Sequence, residues 1–246
     1  MENLKTSFGK SKVSQSQKTK MVQDVFSDIT KKYDLMNNLM SFGTHRLWKK
    51  KLIQQLNIQS KELIIDVGAG TGDIADLIHN NYSTASIISI DLNLNMLKHG
   101  KEKIKHKSNK ISWVNCNAEN LPFKNDTFDK YIISFCLRNV TLIDNALYEA
   151  IRILKPGGSF YCMEFSAPIS PFINRIYNFY KSKIIPIIGE QVTKNKKAYK
   201  YLEESISQFP NQDILLSKLN QIGFENTSVI NLFNGIVSIH KGFKIL

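Results

Sequence analysis

The stretch Ile64–Asp73, IIDVGAGTGD, constrains this chain more than any other. An apolar run ends on Asp66, a turn follows with glycine at positions 68, 70 and 72, and a helical pattern starts after Asp73. Strand, glycine turn and helix in that order are the grammar of an open α/β nucleotide site, where Gly68, Gly70 and Gly72 let a ligand approach bare backbone. A dinucleotide site needs a small residue at position 73, because the pyrophosphate rests on the helix N-terminus. Asp73 stands there instead, and a carboxylate repels phosphate. With Asp66 before the turn, the pattern favours a cationic ligand. S-adenosylmethionine fits, being an adenosine that carries a sulfonium and an ammonium and no phosphate.

The rest of the chain supplies a sheet for this turn. Its 246 residues suffice for one large α/β domain with additions. Residues 1–20 are polar and basic without periodicity, so a flexible arm is expected there, followed by a single domain over 21–246. From Met21 the apolar spacing turns helical through Val25, Phe26, Ile29, Tyr33, Met36 and Met40, and again over His45–Leu56, which gives a helical cap over 21–57. Strands are then expected over 63–67, 85–91, 111–116, 128–136 and 159–164. Helices fall between them, over 74–79, 95–106 and 141–154, with Lys155-Pro156-Gly157-Gly158 expected to stop the last one. This alternation predicts a doubly wound parallel sheet. Residues 166–209 break the rhythm with helically spaced aromatics and a lysine-rich stretch over 194–200, and read as an inserted helical lid. A helix over 213–222 and two strands, 224–232 and 235–243, close the chain, the strands joined as an antiparallel hairpin through Phe233-Asn234.

Charge and cysteines narrow the partners. Lys and Arg total 33 against 21 acids, a net charge of +12. Such a surplus suits nucleic acid or an anionic membrane face, or is a lysine-rich solvated surface. Cys116, Cys136 and Cys162 form no C-x-x-C pair, so neither a metal site nor a disulfide framework is expected. No apolar run approaches the eighteen or so residues of a membrane helix, and the N-terminus lacks the apolar segment of a secretory signal. The expected location is cytoplasmic, with peripheral contact at the inner face of the membrane.

In a doubly wound sheet the ligand sits at the carboxyl ends of the strands. Four loops meet there. One carries the glycine turn; the next ends in Asp91, about twenty residues on, where a carboxylate can accept both ribose hydroxyls. A third carries Asn117-Ala118, placed to lie against an adenine, and the fourth, Ser134–Asn139, faces whatever reacts.

Over nearly its whole length the sequence resembles the quinone-biosynthesis C-methyltransferases that act on ubiquinone and menaquinone precursors. YDLMNNLMSFGTHRLW at Tyr33–Trp48 resembles their first signature, Y-D-x-M-N-x-x-L/M-S-x-x-x-H-x-x-W, and RILKPGGSFYCMEFS at Arg152–Ser166 their second. ISFCLRNV at Ile133–Val140, YKYLEESISQFP and the ending HKGF add further matches. Two departures are Ile153, where valine is usual, and Cys136, where glycine is usual. The resemblance implies a Rossmann-like class I methyltransferase fold with a seven-stranded sheet, which the closing hairpin also fits. It implies S-adenosylmethionine held by the residues corresponding to Thr71, Asp91, Asn117, Ala118 and Ser134, and a prenylated quinol as substrate. Contact with an anionic membrane and with a quinone-biosynthesis complex are implied partners.

The implied reaction methylates an aromatic carbon of a reduced, prenylated quinone. A phenol has a pKa of roughly 10, so making the phenolate at neutral pH requires an offset of about three units. A cationic donor beside the oxygen achieves this. Arg138 with Asn139, just past the fourth strand, is the candidate, and Tyr33 is a second donor from the cap. His45 lies in the first signature and reads equally as a helix-packing residue, while His79, His99 and His106 read as solvated helix positions. A nucleic-acid amine methyltransferase is disfavoured, because SFCLRN stands where [N/D]-P-P-[Y/F] is expected. Methylation of another small phenol or lipid, or a non-catalytic scaffold role, remain alternatives on sequence alone.

Overall fold

The computed structural model describes residues 5–104, 110–185, 187 and 196–245. His106, the end of the helix expected to reach it and Lys194 in the lysine-rich stretch lie outside the described residues. The first two elements correct an expectation. β1 (Lys5–Phe8) and β2 (Ser11–Ser14) form an antiparallel hairpin where a flexible arm was expected, and α1 starts at Gln15 and runs to Ile29. Long-range contacts fix this segment. Phe8 stacks on Tyr201 with ring centroids 4.3 Å apart, and the buried Lys18 donates to the Val140 carbonyl at 2.8 Å. Ser14 and Gln17 close a capping box on the helix start. Polar local composition does not display partners more than a hundred residues away.

α2 (Tyr33–Met40) and α3 (His45–Leu56) complete the cap. The sheet begins with β3 (Leu63–Val67), which leads through the glycine turn into α4 (Asp73–Asn81). β4 (Ser86–Asp91), α5 (Leu94–Ile104), β5 (Ile111–Asn115), β6 (Phe128–Ser134), α6 (Ile143–Ile153) and β7 (Leu154–Phe165) follow. α7 (Pro171–Phe179) has proline in its first turn, where no N–H is needed, and continues into a single π turn at Tyr180–Ile184. α8 (Lys196–Gln208), α9 (Gln212–Ile222), β8 (Glu225–Leu232) and β9 (Val237–Phe243) close the chain.

The seven-stranded sheet has the order β5-β4-β3-β6-β7-β9-β8, with β9 antiparallel to both neighbours and the other pairs parallel. The chain steps one way from β3 to β5 and the other way from β6 to β7. That reversal opens a crevice between the carboxyl ends of β3 and β6. Alternate residues of each strand feed opposite layers. Ile65, Val67, Tyr131 and Ile133 pack against α6 and α9, while Ile64, Ile132, Tyr161 and Met163 pack against α3 and α4. A third apolar cluster joins the cap to the inserted segment through Ile29, Met36, Ile185, Tyr199, Leu202 and Ile206. Cap and insert therefore roof the crevice together.

One boundary differs from the sequence expectation. α6 ends at Ile153, and Leu154 already pairs with Phe128 as the first residue of β7. The Pro-Gly-Gly run forms the bulged start of that strand rather than a separate cap: Gly157, at φ +80°, donates to the Lys244 carbonyl at 2.7 Å.

Candidate active site

The glycine turn is shaped by what it packs against. Gly68, at φ +65°, has Cys136 where a Cβ would point, so the Cys136 side chain fills the space that Gly68 leaves. The amide of Gly70 donates to Asp91 Oδ2 at 2.9 Å, and Asn93 N–H donates to Asp91 Oδ1 at 2.8 Å. Asp91 thus braces the turn, and each of its oxygens keeps a lone pair for a ribose hydroxyl. Burial raises its carboxyl, against the bonds from Asn93 and Gly70.

Two cavities flank this turn. A smaller one, about 90 Å³, is lined by Asp91, Asn117, Ala118, Asn139 and Ile90. A larger one, about 410 Å³, is lined by Asp66, Thr71, Ser134 and Arg138, by Tyr33 and His45 of the cap, and by apolar residues of α1, α2, α7 and α8. Phe26, Tyr33, Gly68, Gly70 and Phe135 line both, so the pair reads as one bent site with the turn at its elbow.

The residues at this elbow fit S-adenosylmethionine. Asp66 is 1% exposed, its Oδ2 has no partner, and burial pushes its carboxyl up to about 7 despite Lys49 nearby. Ser134 Oγ is likewise buried without a partner. Orphaned buried acceptors are rare in folded proteins and call for a ligand. Both residues line the larger cavity, and an ammonium is a donor of the kind such acceptors take.

Asp73 does not carry the role that sequence reasoning gave it. Lys49 Nζ lies 2.6 Å from its Oδ2 and Lys103 Nζ 2.8 Å from its Oδ1. Burial works to raise its carboxyl, but the two lysines overrule that and hold it well below the usual carboxylate range. Its charge is spent inside the protein, which leaves Asp66 as the carboxyl that lines the larger cavity with an unpartnered oxygen. Thr71 is also engaged: its hydroxyl donates to Asp34 Oδ1 at 3.0 Å, and Asp34 Oδ2 takes Lys103 at 2.6 Å. Asp34, Thr71, Lys103, Asp73 and Lys49 form one network that ties α2 and α3 of the cap to the start of α4. Lys49 and Lys103 were not legible as partners, because charge on a helix face does not say which way it turns.

The reacting loop has its own surprise. Arg138 lines the larger cavity, yet its Nη1 reaches Glu164 Oε1 at 3.0 Å and Oε2 at 3.1 Å, with side-chain exposures of 7% and 0%. Burial raises the Glu164 carboxyl and would lower the guanidinium, but the contact with Glu164 keeps Arg138 above its ordinary value. Arg138 is therefore a compensated cation whose Nε has no partner. Glu164 is the next-to-last residue of the apolar strand β7, inside the second signature, a place where a carboxylate needs a buried counter-charge. Asn139 is occupied: its Oδ1 accepts the Tyr201 hydroxyl at 3.0 Å. Tyr33 faces both cavities, and burial, opposed by Arg138, pushes its hydroxyl up to about 12, so it stays a donor.

The roof of the larger cavity is apolar and its mouth is exposed. Among the insert residues, Ile176, Tyr177 and Ile185 line it, whereas Phe172 points away at 71% exposure. Phe42, Ile176 and Phe233 line the cavity and are more than half exposed. No group of three His, Cys, Asp or Glu residues able to hold a metal occurs among the described residues. Nor is any described helix long and apolar enough to cross a membrane.

Known proteins carry the same pattern. The model of the ubiE/COQ5 methyltransferase family matches residues 12–244. A mitochondrial 2-methoxy-6-polyprenyl-1,4-benzoquinol methylase from Gallus gallus is 39% identical, over 98% of this chain and 89% of that protein. The ubiquinone/menaquinone biosynthesis C-methyltransferase UbiE of Pseudoalteromonas translucida is 43% identical, over 97% of this chain and 96% of its own length. Among solved structures, the Haemonchus contortus phosphoethanolamine N-methyltransferase 2 complex with S-adenosyl-L-methionine superposes with a TM-score of 0.62. Its identity is 15%, over 81% of this chain, and the chain spans about half, 52%, of that protein. A SAM-dependent methyltransferase from Thermotoga maritima gives a TM-score of 0.63 at 20% identity, over 90% and 99% of the two chains. At such identities these structures speak for the seven-stranded methyltransferase fold alone.

Proposed function

The chain belongs to the ubiE/COQ5 methyltransferase family, and we propose that it methylates a ring carbon of a prenylated benzoquinol or naphthoquinol in quinone biosynthesis. It is an S-adenosylmethionine-dependent C-methyltransferase, and the cofactor, when bound, supplies an electrophilic methyl group. The observation that carries the substrate reading is the larger cavity. It holds about 410 Å³, runs from the glycine turn to an apolar mouth, and suits a ring at its inner end and an isoprenoid tail along its roof.

The chain's own groups divide the work as follows. Gly68, Gly70, Gly72 and Thr71 shape the cofactor loop, Asp91 faces the ribose, and Asn117 and Ala118 border the adenine end. Ser134 and Asp66 take the ammonium. Tyr33 donates to a ring oxygen as negative charge gathers there, and its raised pKa keeps it protonated while it does so. Arg138, held by Glu164 and flanked by Asn139, presents a fixed positive field to the same oxygen rather than a mobile charge. Apolar walls exclude water, which strengthens both effects. Positioning a ring carbon in line with the methyl supplies much of the remaining rate.

The exposed rim also supports peripheral contact with a membrane. Phe42 and Phe233, which line the cavity, and Phe172 and Phe179 of α7 are all more than half exposed. Lys183 is an exposed cation beside them, whereas Lys181 is buried and bonded to Ser207. A protein seated by this rim draws its substrate's tail from the bilayer. The test offers reduced demethylated benzoquinols and naphthoquinols with graded isoprenoid tails. KM is expected to fall as the tail lengthens while kcat changes little; a KM indifferent to tail length contradicts the assignment of the roof.

A further inference from the structure

Ser41 and His45 sit one helical turn apart where α2 gives way to α3, and their hydrogen bonds decide which imidazole nitrogen carries the proton. Ser41 Oγ lies 2.6 Å from the Asn37 carbonyl and 2.8 Å from His45 Nδ1. A hydroxyl has one proton to give, and a carbonyl can only accept, so the shorter contact takes it. Oγ must then accept from Nδ1–H, as it does from the His45 backbone N–H at 3.3 Å. The ring is held as the Nδ1–H tautomer, and Nε2 is left as an unprotonated acceptor. Nε2 has no hydrogen-bond partner among the described residues, and the ring lines the larger cavity.

The charged groups that face this ring are Lys49 and Arg46 on its own helix, Asp73 at the start of α4 and Asp34 on α2. Burial first, and Lys49 next, lower its pKa to about 4, so the ring is neutral at neutral pH. It is the one imidazole among the described residues that line the cavity. The other candidates for a proton acceptor are engaged. Tyr33 stays protonated, Arg138 is a donor, and Asp73 is bound by Lys49 and Lys103. Asp66 lies under the glycine turn at the cofactor end.

Resting on the quinol reading above, we propose that His45 Nε2 accepts the proton of the quinol hydroxyl as the neighbouring ring carbon gains its methyl. An electron pair of the ring forms the new carbon–carbon bond, and the methyl–sulfur bond breaks with its pair left on sulfur. The hydroxyl O–H pair becomes the second bond of a ring carbonyl, and its proton passes to Nε2. The ring C–H proton then leaves to water while Nε2 returns its own proton to oxygen, restoring the aromatic quinol. One proton is released overall, and no oxidant or reductant is consumed. A weakly basic imidazole suffices, because a phenol whose ring is being alkylated turns into a protonated carbonyl, a far stronger acid than the phenol itself. The proton therefore leaves as the methyl arrives: Tyr33 and Arg138 favour the negative charge that proton loss leaves on oxygen, and no free phenolate has to accumulate first.

Nitrogen-15 NMR of the wild-type protein with S-adenosylhomocysteine reads the tautomer without turnover. His45 is expected as Nδ1–H, with its Nε2 resonance moving when a reduced demethylated quinol is added, and Ser41→Ala is expected to mix the tautomers. Steady-state assays of His45→Ala and His45→Gln run beside it. Their kcat is expected to fall about a hundredfold or more while S-adenosylhomocysteine affinity stays within about twofold. An Nε2–H tautomer in the wild type, or a kcat loss below about threefold in both variants, overturns the proposal. Loss of S-adenosylhomocysteine affinity in both variants marks a packing role and overturns it too. Failure of the wild type to turn over any reduced quinol instead overturns the substrate reading, and this proposal with it.

Discussion

Removing the Arg138–Glu164 pair as a unit separates its part in folding from its part in turnover. Both side chains are out of solvent, at 7% and 0% exposure, and joined at 3.0 Å. Deleting either partner alone leaves a buried, unpaired charge, which costs about 3–5 kcal/mol. Arg138→Met alone, or Glu164→Gln alone, is therefore expected to lose that much stability in urea unfolding. The double variant Arg138→Met/Glu164→Gln leaves no charge behind, and volume-matched replacement of a buried pair is often close to neutral. Its unfolding free energy is expected within about 1–2 kcal/mol of the parent. Its kcat is expected to fall about a hundredfold or more, equivalent to about 2.7 kcal/mol of transition-state stabilisation, with S-adenosylhomocysteine affinity preserved. A stable double variant with normal turnover refutes the electrostatic role of Arg138 and leaves the pair as packing.

Three further outcomes follow from the geometry. Asp66 is raised to about 7 by burial. The folded cofactor-free protein therefore keeps this proton to a higher pH than the unfolded chain does, and loses stability as the pH rises from about 4 to about 7. Affinity for the cationic cofactor is expected to climb about tenfold per pH unit below 7 and then level off, with Asp66→Asn abolishing the slope in calorimetric titration. Gly72→Ala adds a Cβ 2.5 Å from Trp113 at φ +80°, whereas Gly157 has the same φ and nothing within 4 Å. Thermal unfolding is expected to show a loss of about 2–5 kcal/mol for Gly72→Ala against about 1–2 kcal/mol for Gly157→Ala. Phe172→Asp and Phe179→Asp are expected to reduce retention on anionic liposomes at low salt while leaving turnover with a short-tailed quinol unchanged; undiminished retention removes the membrane contact.

Much of the fold is legible in the sequence because the signals are local. The strand Leu63–Val67, the helix His45–Leu56 and the antiparallel closing pair fall where period and turn residues place them, since buried strands and amphipathic faces leave a repeating pattern. The N-terminal hairpin is not legible, because Phe8 and Lys18 are held by Tyr201 and Val140, far along the chain. The candidate site divides in the same way. Asp91, Asn117, Ala118 and Ser134 line the two cavities beside the glycine turn because Asp91 and Ser134 end strands and Asn117-Ala118 follows one, and strand ends converge by topology. The state of charge at the site is another matter. Asp73 and Arg138 look like free charges in one dimension, and only their partners, Lys49, Lys103 and Glu164, show that both are compensated. Cys136 gains its reason in the same way, since the departure from glycine makes sense only against Gly68.

The central claim is methyl transfer to a ring carbon of a reduced quinol held in the larger cavity. The direct measurement incubates the protein with S-adenosylmethionine carrying a carbon-13 methyl and a demethylated prenylated quinol, offered reduced and, separately, oxidised, and locates the label in the product by NMR. The account requires the label on a ring carbon, and only from the reduced form. Label on oxygen, or no transfer to either reduced benzoquinol or reduced naphthoquinol, contradicts it.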